Sequence, residues 1–151
     1  MPFFIRKFML YYLTLNTINK RGNVAISLYY TARRKKSLSQ TEISAVKEIV
    51  QRHSVNDQIE KYLTTGEGLN WESFDFALNV KIGNVFRKGI VLSGSTKLPD
   101  NDEEATWVGV QHWCQCLSEI RGVLTHCEWH VAVDDRAIPW SHEVNAYDPA
   151  R

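Results

Sequence analysis

Twice along this chain, period-two alternation of apolar residues gives way to helical spacing, and this repeated change of period constrains the fold more than any other feature. Alternation puts every second side chain on one face of a strand, whereas apolar residues three and four apart share one face of a helix. The first alternating pair runs from Phe8 to Asn16, with Met9, Tyr11, Leu13 and Leu15 in step. It continues from Asn23 to Thr31 through Val24, Ile26, Leu28 and Tyr30. A polar loop containing Gly22 separates the two, so the pair reads as a β-hairpin. Ser39 with Glu42 three positions on is then a capping box, in which the hydroxyl and the carboxylate satisfy amide donors of a first helical turn. Ile43, Val46, Ile49 and Val50 follow at helical spacing, so the sequence predicts a helix from Ser39 to His53. A short second helix is predicted from Asp57 to Leu63, broken by Thr64-Thr65-Gly66-Glu67-Gly68.

The second unit begins with Phe74, Phe76, Leu78, Val80 and Ile82 on one strand face. Gly83-Asn84 is a two-residue turn of the hairpin kind, and the return strand runs from Val85 to about Thr96. Asp100, Asp102, Glu103 and Glu104 cluster where the next helix should begin, because negative charge complements the N-terminal end of the helix dipole. Val110, Trp113, Leu117, Ile120 and Leu124 form its buried stripe. A strand starting at Thr125 or His126 follows, with Cys127, Trp129, Val131 and Val133 inward. Asp134-Asp135-Arg136 turns the chain toward an edge strand at Ala137–Trp140, and the tail from Ser141 is expected to be loosely ordered. The reading is a single α+β domain over residues 1–151, in ββα-ββα-β(β) order. Its mainly antiparallel sheet carries two main helices on one face.

The composition, 44% hydrophobic and 23% charged over 151 residues, is that of a globular domain large enough to bury a core without disulfide or metal staples. Three cysteines, Cys114, Cys116 and Cys127, are an odd number and read as small buried hydrophobes. No run of apolar residues is long enough to span a membrane. Arg6 and Lys7 interrupt the apolar start and no small-residue cleavage pattern follows, so the expectation is a cytoplasmic protein. The net charge of +1 is unevenly spread. Residues 1–36 hold eight basic side chains and no acid, while the other ten basic residues face all 17 acids. A two-toned surface is expected.

Three groups of residues have the chemistry of a site. His126, Glu128 and His130 would project from one strand face about 7 Å apart, a spacing compatible with acid–base work or metal ligation. The solvent face of a half-buried strand must be polar in any case. Arg33, Arg34, Lys35 and Lys36, with Tyr29 and Tyr30 just before them, offer phosphate contact and base stacking. Tyr11 and Tyr12 would extend that platform, and the bland alternative is a solvated linker after an edge strand. The acids Asp100, Asp102, Glu103, Glu104, Asp134 and Asp135, with Trp107 and Trp140, have the makings of an aromatic anchor inside a charged rim, suited to a protein partner. Structurally the same acids are a helix start and a turn. There is no glycine-rich phosphate loop, no Gly-x-Ser-x-Gly elbow and no His-Glu-x-x-His. Neither a metal nor a cofactor is expected.

In general format, a small α+β domain rich in aromatics, with acidic sets at Asp100–Glu104 and Asp134-Asp135 and no catalytic signature, the chain resembles bacterial immunity proteins of toxin–immunity systems, including the contact-dependent growth-inhibition type. The resemblance covers the chain loosely and carries no individual residue over. It implies a non-catalytic protein that binds a cognate toxin, often a nuclease, and blocks it. The basic first 36 residues depart from the acidic character common in inhibitors of nucleases: either the target is not a nuclease or the contact lies in the acidic half. A small RNA- or DNA-binding module using Tyr29, Arg33, Arg34, Lys35 and Lys36 is the alternative reading, and a small enzyme using His126, Glu128 and His130 is another.

Overall fold

Ser27–Arg33, within the second alternating segment, becomes the central strand of the molecule. The computed structural model describes residues 25–82, 85–86 and 89–151. In chain order the elements are β1 (Ser27–Arg33), α1 (Gln40–Arg52), α2 (Asn56–Thr65), β2 (Phe76–Leu78), β3 (Lys81–Ile82), β4 (Val85–Phe86), β5 (Ile90–Lys97), α3 (Ala105–Val123), β6 (Glu128–Val133), β7 (Arg136–Ala137), β8 (Trp140–Ser141) and β9 (Ala146–Tyr147). Five of the strands form one antiparallel sheet in the order β2-β5-β1-β6-β7. The fold is α+β with an antiparallel sheet, as the change of period implies.

Burial along β1 alternates. Leu28, Tyr30 and Ala32 are buried in the core, while Tyr29 and Arg33 are exposed. Their ladder partners follow suit, with Trp129, Val131 and Val133 of β6 opposite Ala32, Tyr30 and Leu28. The helices cover this inward face. Val110, Trp113, Leu117, Ile120 and Leu124 are all buried, as the helical stripe predicts, and join Val46 and Ile49 of α1 in one cluster. Burying each such side chain contributes about 1.5–3 kcal/mol. Cys114 and Cys116 are buried in the same helix, and burial pushes both thiols up to about 12, so they pack as inert apolar groups.

Tyr30 ties the sheet to the segment before β2. Its hydroxyl donates to the Asp75 carbonyl and shares a 2.7 Å hydrogen bond with the buried Thr96 hydroxyl, which in turn accepts from the Asp75 amide at 3.2 Å. Its ring stacks on Phe74 at 4.5 Å. Gly94, opposite Tyr30 in the ladder, makes this possible, because a Cβ there would lie 2.6 Å from the Tyr30 ring and 3.0 Å from the Phe76 Cα.

Local signals are reproduced closely in the helices. The capping box is complete, with the Glu42 amide donating to the Ser39 hydroxyl and the Ser39 amide to the Glu42 carboxylate. The second helix ends where the glycines begin, on Gly66 in the left-handed conformation.

The strands depart from expectation in four places. The Phe8–Asn16 arm of the first hairpin and the Gly83-Asn84 turn lie outside the described residues. Over Ser27–Arg33 both edges of β1 are taken, by β5 and β6, so it is an internal strand and neither a hairpin arm nor an edge. The long strand expected from Phe74 to Ile82 is interrupted at Asn79, which adopts positive φ and exchanges side-chain hydrogen bonds with both backbone groups of Leu38 (2.8 and 3.1 Å). The edge strand expected at Ala137–Trp140 is split at Pro139 into β7 and β8. The tail from Ser141, expected to be loosely ordered, instead closes a hairpin in which Trp140 pairs with Tyr147. Tyr147 is buried, its hydroxyl accepts from Arg121, and its amide donates to Ser118 on α3.

Two glycine substitutions separate packing from propensity. Gly94→Ala is expected to destabilise by roughly 2 kcal/mol or more, because the new methyl overpacks the site beneath Tyr30. Gly122→Ala, in α3 with nothing within 4 Å of the added carbon, is expected to stabilise by about 0.5 kcal/mol through helix propensity. Urea titration of the two variants checks both signs.

Candidate functional site

The ladder places chemistry at the two ends of β1, about 20 Å apart for seven extended residues. At its beginning, Ser27 lies opposite Lys97 and Leu28 opposite Val133. The segment after β5 and the turn after β6 therefore arrive at the same end of the sheet. These carry Asp100, Asp102, Glu103 and Glu104, and Asp134 and Asp135, so two acidic sets some thirty residues apart share one end. The Asp134 amide donates to the Ser27 carbonyl (3.0 Å) and the Ser27 amide returns a bond to the Asp134 carboxylate (3.2 Å).

The six acids divide by duty. Asp100 accepts from the Asn70 side chain at 2.6 Å, while Asn70 accepts from the Asp100 amide at 2.8 Å, which clamps the loop before β2 to the start of α3. Asp102 accepts from the Glu104 amide at 3.1 Å, a cap just ahead of the helix. Asp134 stabilises its own turn, at positive φ. Glu103, Glu104 and Asp135 are exposed, and among the described residues their side chains have no hydrogen bond or ion pair. Asn70 had no distinguishing mark in the sequence, since its role depends on a contact thirty residues away.

The two tryptophans are more engaged than a bare interface anchor would be. Trp107 is half-buried in the first turn of α3, packs against the core, and lines a cleft of about 500 Å³ with Gln111, Gln115 and Tyr147. Trp140 is half-buried beneath the Arg121 guanidinium, 4.2 Å above its ring, with Tyr147 edge-on at 5.0 Å. It secures the C-terminal hairpin to α3.

The basic string at the other end of β1 is divided by the fold. Tyr29, 46% exposed, and Arg33 lie on the face of the sheet away from the helices, Arg33 opposite Glu128. Arg34 is withdrawn into a clamp. Its guanidinium makes two hydrogen bonds to Glu42 (2.7 and 2.8 Å) and donates to the carbonyls of Lys36, Ser37 and Thr125. Lys35 and Lys36 are exposed beside this clamp. The structure thus does not gather Tyr29, Arg33, Arg34, Lys35 and Lys36 on one surface.

The row expected from His126, Glu128 and His130 is also broken. Glu128 and His130 are exposed in β6, but the strand begins at Glu128. His126 sits in the preceding turn at positive φ and lines a pocket with Arg34, Lys35 and Lys36. Among the described residues no group of three His, Cys, Asp or Glu side chains is placed to hold a metal ion. Nor is any of their helices long and apolar enough to cross a membrane.

No protein-family model matches the chain, and no curated protein or solved structure matches it significantly.

The Arg34 clamp makes stability depend on acid. The guanidinium holds the Glu42 carboxyl at about 2 against an ordinary 4.5. Folding therefore gains the full contribution of this pair above about pH 4.5, and loses it as the pH falls toward 2 and the unfolded chain takes up the proton first. Glu42→Gln is expected to cost about 1.5–3 kcal/mol at neutral pH, the range for hydrogen bonds to charged groups. Its deficit relative to the parent should shrink between pH 4.5 and 2 in denaturant titrations.

Proposed function

We propose that this chain is a non-catalytic binding protein, an immunity protein that neutralises a cognate protein toxin in the cytoplasm by docking its acidic end on a basic surface of that toxin. The observation that carries the reading is the meeting of Asp100–Glu104 and Asp134-Asp135 at one end of the sheet. Acids that converge from separate loops give a concentrated negative potential, which steers and orients a basic partner. Glu103, Glu104 and Asp135 are the primary contacts, since Asp100, Asp102 and Asp134 also hold loops in place. Trp107, directly after the acidic segment, supplies aromatic surface at its margin, while Trp140 supports the hairpin behind it. A nuclease domain, whose substrate surface is basic, has the complementary charge. The mode of action is occlusion, and it requires neither metal nor cofactor.

The test is to express the toxin-like domain encoded beside this gene and titrate it with this chain. Stoichiometric inhibition is expected, with an association rate that falls steeply with salt. The triple variant Glu103→Lys, Glu104→Lys, Asp135→Lys should slow association by about tenfold or more, while the chain stays folded with only the modest loss of stability, about 0.3–1 kcal/mol per charge, that altering charge at a helix start brings. A neighbouring gene with no toxin-like domain, or inhibition indifferent to this reversal, would contradict the proposal.

A further inference from the structure

We propose that the concave pocket between the β1–α1 connection and the α3–β6 connection binds a phosphate group, with Lys35, Lys36 and His126 as its ligands. This site lies at the opposite end of β1 from the acidic loops and does not depend on the toxin-binding reading. Its lining is Arg34, Lys35, Lys36, Glu42, Thr125 and His126, around about 410 Å³. That is within the size range of small-molecule sites, and larger than a single oxyanion, so part of the molecule bearing the phosphate also fits.

The pocket is built by Arg34. Its bonds to the Lys36 and Ser37 carbonyls curl the connection after β1, and its bond to the Thr125 carbonyl (3.1 Å) draws in the turn that carries His126. A hydrogen bond from the Arg34 amide to the Gly89 carbonyl (2.8 Å) anchors the wall from behind. The one carboxylate present does not oppose an anion. Glu42 accepts two bonds from Arg34 and a third from the Ser39 amide, so its charge is already balanced. Among the described residues, Lys35, Lys36 and His126 have no hydrogen bond or ion pair of their own. Two uncompensated ammonium groups and an imidazole donor call for an anion with more than one charge and several acceptor oxygens. Phosphate carries up to two charges on three or four acceptor oxygens, against one charge on two oxygens for a carboxylate.

The geometry also favours a single phosphate over a nucleic-acid backbone. A polynucleotide needs a track of cations along successive phosphates, and its affinity falls steeply with salt as each contact releases a counterion. Here Arg33 belongs to the far face of the sheet opposite Glu128, and Arg34 is consumed in the clamp, so the cations left to an anion are the two lysines that line one pocket and form no track.

The experiment is a binding titration, followed by amide NMR shifts, with three probes: inorganic phosphate, glycerol 3-phosphate, and a single-stranded oligonucleotide lacking a terminal phosphate. Saturable shifts at residues 34–37 and 125–127 are expected with the first two. Lys35→Gln together with Lys36→Gln should weaken both by roughly tenfold or more, the scale of charge-assisted hydrogen bonds. His126→Ala should weaken both to a lesser degree, and Arg33→Gln should leave them unchanged. Stronger binding of glycerol 3-phosphate than of inorganic phosphate would identify a phosphomonoester as the natural form, and the reverse order would identify the free ion. The proposal is overturned if neither phosphate probe binds. It is equally overturned if only the oligonucleotide binds, with a steep salt dependence and a loss on Arg33→Gln.

Discussion

The antiparallel ladders along both edges of β1 carry the rest of the structure, because they determine which loops meet at each end of the sheet. Opposing Ser27 to Lys97 and Leu28 to Val133 leaves the chain no choice about where the next connections emerge. A one-residue slip of either neighbour would turn its apolar face to solvent. Tyr30 guards against such a slip. Its hydroxyl closes a ring of hydrogen bonds with Thr96 and the Asp75 backbone, and its ring requires the bare backbone of Gly94 across the ladder. Burial raises the Tyr30 hydroxyl well above its ordinary acidity range, which favours the protonated donor.

Two charged sets lie along the same axis. The acids ahead of α3 sit at the positive end of its dipole, and Arg34 reaches the Thr125 carbonyl just beyond its other end. Part of the segregation is therefore structural. Exposed single charges contribute little to folding, with even well-formed surface ion pairs typically worth about 0–1 kcal/mol. Glu103, Glu104 and Asp135 at one end, and Lys35 and Lys36 at the other, have no partner among the described residues to repay even that.

Helices were legible in the sequence because their signals are local. The Ser39–Glu42 capping box, the Val110–Leu124 stripe and the glycine stop at Gly66 each depend on residues within a few positions. Strand faces were legible for the same reason, as Leu28, Tyr30, Trp129, Val131 and Val133 show. Strand order was not, since placing β1 between β5 and β6 depends on pairings many tens of residues apart. The breaks at Asn79 and His126 were also hidden, because positive φ is uncommon even for Asn and His, and at Asn79 it accompanies side-chain bonds to Leu38, forty-one residues away. For the candidate site, the sequence revealed the acids and cations but not their division of labour. Asp100 is engaged by Asn70, Asp134 by Ser27 and Arg34 by Glu42 and Thr125. His126, read as part of a strand row, became a pocket residue once the turn before β6 was in view.

The central claim is that the acids of residues 100–104 and 134–135 gather at one end of β1, and Lys35, Lys36 and His126 at the other. Paramagnetic relaxation of backbone amides by two small nitroxide probes, one cationic and one anionic, measures this directly. The account requires the cationic probe to act preferentially on amides of residues 100–104 and 134–135. The anionic probe should act on residues 35–36 and 126. Equal relaxation of both sets by either probe would contradict it.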